Sequence, residues 1–427
     1  MKYFGTDGIR GTIENELNDK TLKKVAKAIV LFLKKENNKV LLVGNDSRIT
    51  SDYILSTLCT KLLKNGIEIH NVGLCSSPCL AYLTQKYNYP LGLMLSASHN
   101  PAEYNGLKFF NSNGEKVSDN FEENFEILMD EKRLTKNNNF SRIKNVETLK
   151  QDYINHMKKL IKFNFPVIID CANGGTSEIC NAVFPKFEKI NNKPNGKNIN
   201  LNAGCTHIEM LKSLCVKKQK IGFAFDGDGD RIHIINTDGT IIAGDKILYI
   251  LSRFFQKSSD ICVGTIYTNT GLENSLKKRK ITLERSDVGD KKVYALMSAT
   301  KSYLGGEDSG HIILKHLANT GDGLLVAITL ANILEVCKST LSELLRSYSE
   351  YHQCRKNISI TNKDKIKEII ENEELKNFIK AHKNNKAKII IRPSGTEPVL
   401  RLFVEHENKI VAEKTLNELY NLINVLV

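Results

Sequence analysis

Three α/β units with mixed sheets followed by a small C-terminal α+β module is the fold class this chain of 427 residues predicts. Two observations carry it. Helical and strand-like apolar patterns alternate from Leu22 to Tyr348, restarting after polar stretches, a rhythm that builds sheets with helices on both faces. Beyond Tyr351 the rhythm gives way to a helix, two strands and a last amphipathic helix.

The elements follow in order. Leu22, Val25, Ala26, Ile29 and Leu33 recur at helical spacing. Lys39–Val43 reads as a strand, Gly44–Arg48 as a polar loop, and Ser51 as the cap of a helix through Leu55, Leu58 and Leu62. Ile67–Val72 and Leu91–Leu95 are strands of a largely parallel sheet. The polar stretch 130–143 reads as a linker or exposed excursion. Val167–Asp170 and Ile221–Phe225 are buried strands around a helix Thr176–Phe184, and Ile232–Ile235 with Thr240–Ala243 forms a hairpin. A third round has helices Asp245–Phe255 and Gly271–Lys278, strands Ile261–Tyr267 and Ile281–Arg285, and helices filling 323–348. In the tail, a mobile linker (351–362) and a helix Lys363–Lys383 precede strands Ala387–Ile391 and Val399–Val404 and a helix from Val411 to Leu426.

Composition narrows the function classes. A hydrophobic content of 41% supports real cores. No apolar run approaches the roughly 18–20 residues that span a bilayer, and the polar start MKYFGTDGIRG lacks a signal-peptide core. The ten cysteines are scattered without a Cys-x-x-Cys pair, which fits reduced core thiols. A cytoplasmic protein away from membranes is the expectation. The net charge of +13 invites a nucleic-acid reading. However, the lysines are dispersed, and no basic run is interleaved with aromatics.

Four loops carry the chemistry. After the strand Leu91–Leu95 the chain breaks into Ser96-Ala97-Ser98-His99-Asn100-Pro101, and Pro101 biases Asn100 towards extended backbone. A hydroxyl displayed at a strand end is a candidate nucleophile, and an inert turn fits the same residues. A Ser-His hydrolase is disfavoured, since on an extended backbone Ser98 and His99 point to opposite sides and no Gly-x-Ser-x-Gly elbow is present. In Phe225–Arg231, FDGDGDR, three aspartates alternate with glycines, so Asp226, Asp228 and Asp230 can converge on a hard cation. An acidic solvent turn is the competing reading. LGGEDSGH (304–311) offers Glu307, Ser309 and His311, which suits sugar hydroxyls and equally an ordinary turn. RPSGTEPVLR (392–401) places Ser394, Gly395 and Thr396 as an anion nest between Arg392 and Arg401, although a charged hairpin reads the same way. YFGTDGIRG (3–11) brackets Arg10 with glycines.

Together these loops, in this order, resemble the signature motifs of the α-D-phosphohexomutase superfamily over nearly the whole length. KYFGTDGIRG, GGEDSGH, PNGKNIN (194–200) and NAGCTHIE (202–209) are most similar to its bacterial phosphoglucosamine mutase branch. The resemblance implies four domains around a central active-site cleft. Residues 1–145 carry the phosphoserine loop, 146–242 the metal loop, 243–352 the sugar-recognition loop and 353–427 the phosphate-binding loop. It implies Ser98 as phosphoserine, with one Mg²⁺ per active site held by Ser98, Asp226, Asp228 and Asp230. Arg10, Lys108 and His311 take catalytic roles by the same resemblance. Arg231, Glu307, Ser309, Arg392, Ser394, Gly395 and Thr396 bind substrate. The implied reaction is the reversible conversion of glucosamine 6-phosphate to glucosamine 1-phosphate through a bisphosphate, primed by a hexose 1,6-bisphosphate and feeding amino-sugar synthesis for peptidoglycan. A phosphomannomutase or phosphoglucomutase of the same superfamily is the alternative. The expected partner is a phosphosugar, with no nucleic acid and no membrane, and a homodimer is among the assemblies left open.

Departures from the superfamily pattern stand at Cys205-Thr206-His207-Ile208-Glu209, which is shortened, at Asp308, where glutamine is usual, and at Val288–Val293, where Lys291 replaces an arginine. Lysine at 291 weakens any bidentate contact made there. A sugar-phosphate-binding protein that has lost catalysis is the reading from a different class.

Overall fold

The computed structural model describes residues 2–5, 7–131, 140–255, 260–360, 363–393 and 399–426. The chain forms two compact units, one of Met1–Tyr267 with Ile281–Arg346, the other of Thr268–Lys280 with Ser347–Val427.

The first unit holds three sheets. The first comprises β1 (Ile9–Gly11), β2 (Val40–Asn45), β3 (Glu68–Leu74), β4 (Leu91–Leu95), β5 (Asn105–Asn111) and β6 (Ile143–Asn145), in the order β1-β5-β4-β2-β3-β6. It is a mixed sheet, as the fold class expects, parallel from β4 through β2 and β3 to β6 and antiparallel at β5. The chain leaving β4 turns back at once through 96–104, and such a tight return makes β5 antiparallel to β4; β1 also pairs antiparallel with β5. Helix Asp19–Leu33, capped by Asn18, buries the face marked by Leu22, Val25, Ala26, Ile29 and Leu33. Helix Thr50–Lys64 is not capped by Ser51. Ile49 occupies the cap position, and the buried Ser51 Oγ accepts a bond from Asn105 instead. Of the excursion read at 130–143, residues 132–139 lie outside the described residues.

The second sheet comprises β7 (Val167–Asp170), β8 (Glu188–Ile190), β9 (Ile221–Phe225), β10 (Ile232–Ile235) and β11 (Ile241–Ile242), ordered β11-β10-β9-β7-β8. β10 and β11 make the expected hairpin. The third comprises β12 (Ile261–Thr265), β13 (Thr282–Ser286), β14 (Leu304–Gly306) and β15 (Ile312–Leu314), ordered β13-β12-β14-β15. β4 and β9 each run parallel to a neighbour, so the Ser98 and aspartate loops leave from carboxyl ends, where open α/β sheets gather their chemistry.

In the second unit β16 (His352–Ser359), β17 (Lys388–Pro393) and β18 (Val399–His406) form an antiparallel sheet ordered β16-β18-β17. The stretch expected as a mobile linker is therefore largely a strand, paired along its length with β18. Cys354, Ile358 and Ile360 share its core-facing side, an alternation that the intervening charged residues mask. The helix expected over 363–383 is two, Lys363–Glu371 and Glu373–Asn384, because Asn372 caps the second through Leu375 N–H. Among the described residues no helix is long and apolar enough to cross a membrane. All ten cysteines are free thiols.

Candidate active site

Ser98 sits beyond β4 with a left-handed backbone, φ 54°, and is buried. Its N–H donates to Ser96 Oγ at 2.9 Å, and Ser96 in turn donates to Asp46 at 2.6 Å. The Ser98 hydroxyl donates to Asp226 Oδ2 at 2.6 Å. The left-handed turn also corrects the extended-chain argument about His99, whose Nδ1 lies 3.4 Å from Ser98 Oγ, a contact at the edge of hydrogen bonding. Burial, and then the neighbouring Arg231 and Arg10, push the His99 imidazole down to about 4, so it is neutral near pH 7.

Asp226, Asp228 and Asp230 occupy the loop between β9 and β10, with carboxylate oxygens within 4.8 Å of one another. The loop curls so tightly that Gly229 takes φ 74°, which L side chains rarely adopt. Lys108, fully buried on β5, reaches in from the first sheet. Its Nζ lies 2.6 Å from Asp228, 3.0 Å from Asp7 and 3.4 Å from Asp230. Burial disfavours the Lys108 ammonium, but Asp228, Asp230 and Asp7 outweigh it and raise its pKa. Asp226 is pushed well above the carboxylate range by burial and by Asp228 and Asp230. For Asp230 burial works the same way but loses to Lys108 and Lys116, leaving it well below that range. Asp228 Oδ1 and Asp230 Oδ1 are buried without a hydrogen-bond partner. Oxygen donors of this kind, unsatisfied and clustered, fit a hard divalent cation.

Three residues that the sequence reading passed over complete the cluster. Asp7 binds Arg10 and Lys108, and its other oxygen lies 2.9 Å from Lys116. Lys116 also pairs with Asp290 and lies 3.5 Å from Asp230. His311 Nε2 stands 3.4 Å from Asp290 and 3.7 Å from Asp230, and neither ring nitrogen makes a hydrogen bond. His311 is presented by the tight turn between β14 and β15, in which Glu307 N–H donates to His311 O at 2.9 Å. In that turn Glu307 Oε1 accepts from Gly289 N–H at 3.1 Å, and the buried Ser309 Oγ has no partner. Arg231 follows the aspartates, its Nε 4.0 Å from Asp230. Beside the cluster lies a cavity of about 510 Å³ reached by Lys116, Asp290 and His311. In the second unit Arg392 pairs in register with Arg401 across β17 and β18. Ser394, Gly395 and Thr396 lie outside the described residues.

The family models for phosphoglucomutase/phosphomannomutase match this chain three times. Alpha/beta/alpha domain I matches residues 1–136, alpha/beta/alpha domain III 243–351 and the C-terminal domain 356–422. The chain belongs to this family. Among similar proteins, a phosphoglucosamine mutase of Staphylococcus aureus is 35% identical, covering 97% of this chain and 96% of its own length. The fold is shared with a phosphoglucomutase/phosphomannomutase family protein of Burkholderia thailandensis, at TM-score 0.79, 19% identity and coverage of 99% and 97%. The phosphoglucomutase parafusin of Paramecium gives TM-score 0.76 at 20% identity, covering 99% and 93%. This phosphohexomutase is accordingly an isomerase. The departure at 288–293 has structural partners. Lys291 ion-pairs with Glu122 at 2.6 Å and Asp119 at 3.0 Å, and Lys292 pairs with Asp119 at 2.6 Å. Lysine at 291 thus ties the helix Asp290–Thr300 to the helix Asp119–Asp130.

Proposed function

We propose that the enzyme interconverts glucosamine 6-phosphate and glucosamine 1-phosphate, with Ser98 carrying the transferred phosphate. The observation behind this reading is the Ser98 hydroxyl 2.6 Å from Asp226, beside aspartate oxygens that are buried without a hydrogen-bond partner. Asp226, Asp228 and Asp230, with the Ser98 phosphate, would hold Mg²⁺. When bound, the ion offsets phosphate charge and makes the phosphorus a better electrophile.

The chain's own residues do the rest. Lys108, kept protonated by its carboxylates, and Arg10 supply fixed positive charge where the departing Ser98 Oγ gains negative charge. His311 accepts the proton of the attacking sugar hydroxyl, and Asp290 steadies the imidazolium. The Oγ–P bond breaks and a P–O bond to the sugar forms, giving glucosamine 1,6-bisphosphate. After the bisphosphate turns around, its other phosphate returns to Ser98 and the proton returns to the sugar oxygen, so nothing is consumed. A trace of hexose 1,6-bisphosphate primes the serine. Arg231, Glu307 and Ser309 read sugar hydroxyls. Arg392 with Ser394, Gly395 and Thr396 grips the phosphate that does not react. The division at 145, 242 and 352, a cytoplasmic setting and supply of peptidoglycan amino sugar belong to the same proposal. The choice of glucosamine rests on the staphylococcal relative.

Turnover of glucosamine 6-phosphate, mannose 6-phosphate and glucose 6-phosphate, each with Mg²⁺ and a trace of bisphosphate, tests the reading. Preference for the amino sugar supports it. Faster turnover of the other two moves the substrate to the phosphomannomutase or phosphoglucomutase alternative. No turnover by folded protein overturns catalysis and leaves a sugar-phosphate-binding protein.

A further inference from the structure

The motif PNGKNIN lies outside the cluster of reacting groups, yet its last residue touches the Ser98 loop. Asn200 Nδ2 donates to Ser98 O at 2.8 Å and to Asn100 O at 3.0 Å. The same two carbonyls accept from Arg48 Nη2 at 3.0 and 2.8 Å. Arg48 Nη1 reaches Tyr104 O at 2.7 Å and also Pro101 O, while Nε is anchored on Asp46 at 3.0 Å. Both residues are buried, so the loop is gripped from two sides, by the end of the first sheet and by the second. We infer that Asn200 is a positioning residue for phosphoryl transfer, closing with Arg48 a clamp that fixes the Ser98 backbone in its left-handed turn.

The remainder of the motif builds the clamp. Asn195 Oδ1 accepts from the N–H groups of Lys197 and Asn198, each at 3.0 Å, which curls the segment on itself. Gly196 O accepts from Ile49 N–H at 3.0 Å, docking the curl beside Arg48. Asn173 ties in the second sheet, donating to Asn198 O at 3.3 Å and accepting from Lys193 N–H at 3.1 Å through its side chain. The Asn173 carbonyl accepts from Ser47 Oγ at 2.5 Å. Asn200 itself has φ 58°, a conformation asparagine tolerates better than most residues.

The metal-loop residue Gly227 packs straight onto the clamp. A Cβ there would come within 2.5 Å of Ser98 O and 2.9 Å of Asn200 Nδ2. Ser98 held at φ 54° is a strained non-glycine residue, and such strain persists only where its surroundings over-determine it. With the two amide hydrogen bonds gone, the Ser98 turn can relax, and Oγ moves relative to Asp226.

The inference rests on Ser98 as the phosphate carrier, and the experiment separates the two claims. Asn200→Gly keeps the left-handed backbone and removes the donors. Asn200→Asp keeps the shape and replaces donors with acceptors. We expect kcat for glucosamine 6-phosphate to fall about tenfold to a hundredfold in Asn200→Gly, as a misplacement near 1 Å does, and further in Asn200→Asp. KM should stay within about twofold of wild type, because the sugar is bound elsewhere. A wild-type kcat in either folded variant, or a loss confined to KM, overturns the inference. Ser98→Ala is run alongside. Its retaining activity would sink the phosphoserine reading, whereas an inactive Ser98→Ala with a fully active Asn200→Gly would sink only the clamp.

Discussion

Replacing Lys108 with methionine tests the electrostatics of the site most severely. The side chain is fully buried, and its ammonium serves Asp228, Asp7 and Asp230 at 2.6, 3.0 and 3.4 Å. Methionine fills a similar volume without charge. The substitution therefore strands buried carboxylates rather than opening a cavity. Breaking a buried pair from one side costs about 3–5 kcal/mol. Lys116 still serves Asp7 and Asp230, which places the expectation towards the lower part of that range. For a unit of this length the loss corresponds to a drop of roughly 4–6 °C in melting temperature. Thermal unfolding by circular dichroism, with and without Mg²⁺, reads it. Added Mg²⁺ should return part of the loss by neutralising the same carboxylates, while turnover stays abolished. A drop below about 2 °C, on the same scaling, would mean that the aspartates do not depend on Lys108 for charge, and the reasoning would fail.

Asp322 caps the helix Gly323–Cys337 and accepts from Tyr153 Oη at 2.8 Å, and burial pushes its carboxyl up to about 6. A raised carboxyl pKa makes ionisation oppose folding, so its contribution declines as pH rises from near 4 through 6. In Asp322→Asn that decline, at most about 3 kcal/mol, should vanish from denaturant titrations across this window, and an unchanged pH slope would refute it. Lys291→Ala removes the ion pairs with Glu122 and Asp119 and should cost about 1–3 kcal/mol with KM unchanged; a raised KM with no stability loss would return Lys291 to the substrate. Arg392→Ala should raise KM for the phosphosugar about tenfold or more, as loss of a charge-assisted phosphate contact implies, and an unmoved KM would discard the phosphate-grip assignment.

Much of the site was legible because its chemistry is local. Asp226, Asp228 and Asp230 lie within one loop, and a glycine between each pair announces the curl. The apolar run Leu91–Leu95 announces a strand that ends in a displayed hydroxyl. What the sequence hid is what long-range packing creates. Asp7, Lys116 and Asp290 come from distant segments and meet only in the folded chain. Arg48 reads as part of a polar loop until its guanidinium is seen collecting four carbonyls. Ser98 gives no sign of its left-handed backbone, since serine is not a residue that φ above zero favours. The same limit applies to the fold. β5 escaped notice beside the more obvious β4, and the charged residues of β16 covered a strand's alternation.

The most direct measurement follows the phosphate itself. Enzyme carrying a radiolabelled phosphate is mixed with glucosamine 6-phosphate in a single turnover, and the label is located by digestion and chromatography. The account predicts that label leaves the peptide containing Ser98 and appears on glucosamine as bisphosphate, then as monophosphate, with the serine rephosphorylated by substrate phosphate. Label that stays on Ser98 while product forms, or that occupies another residue, would contradict it.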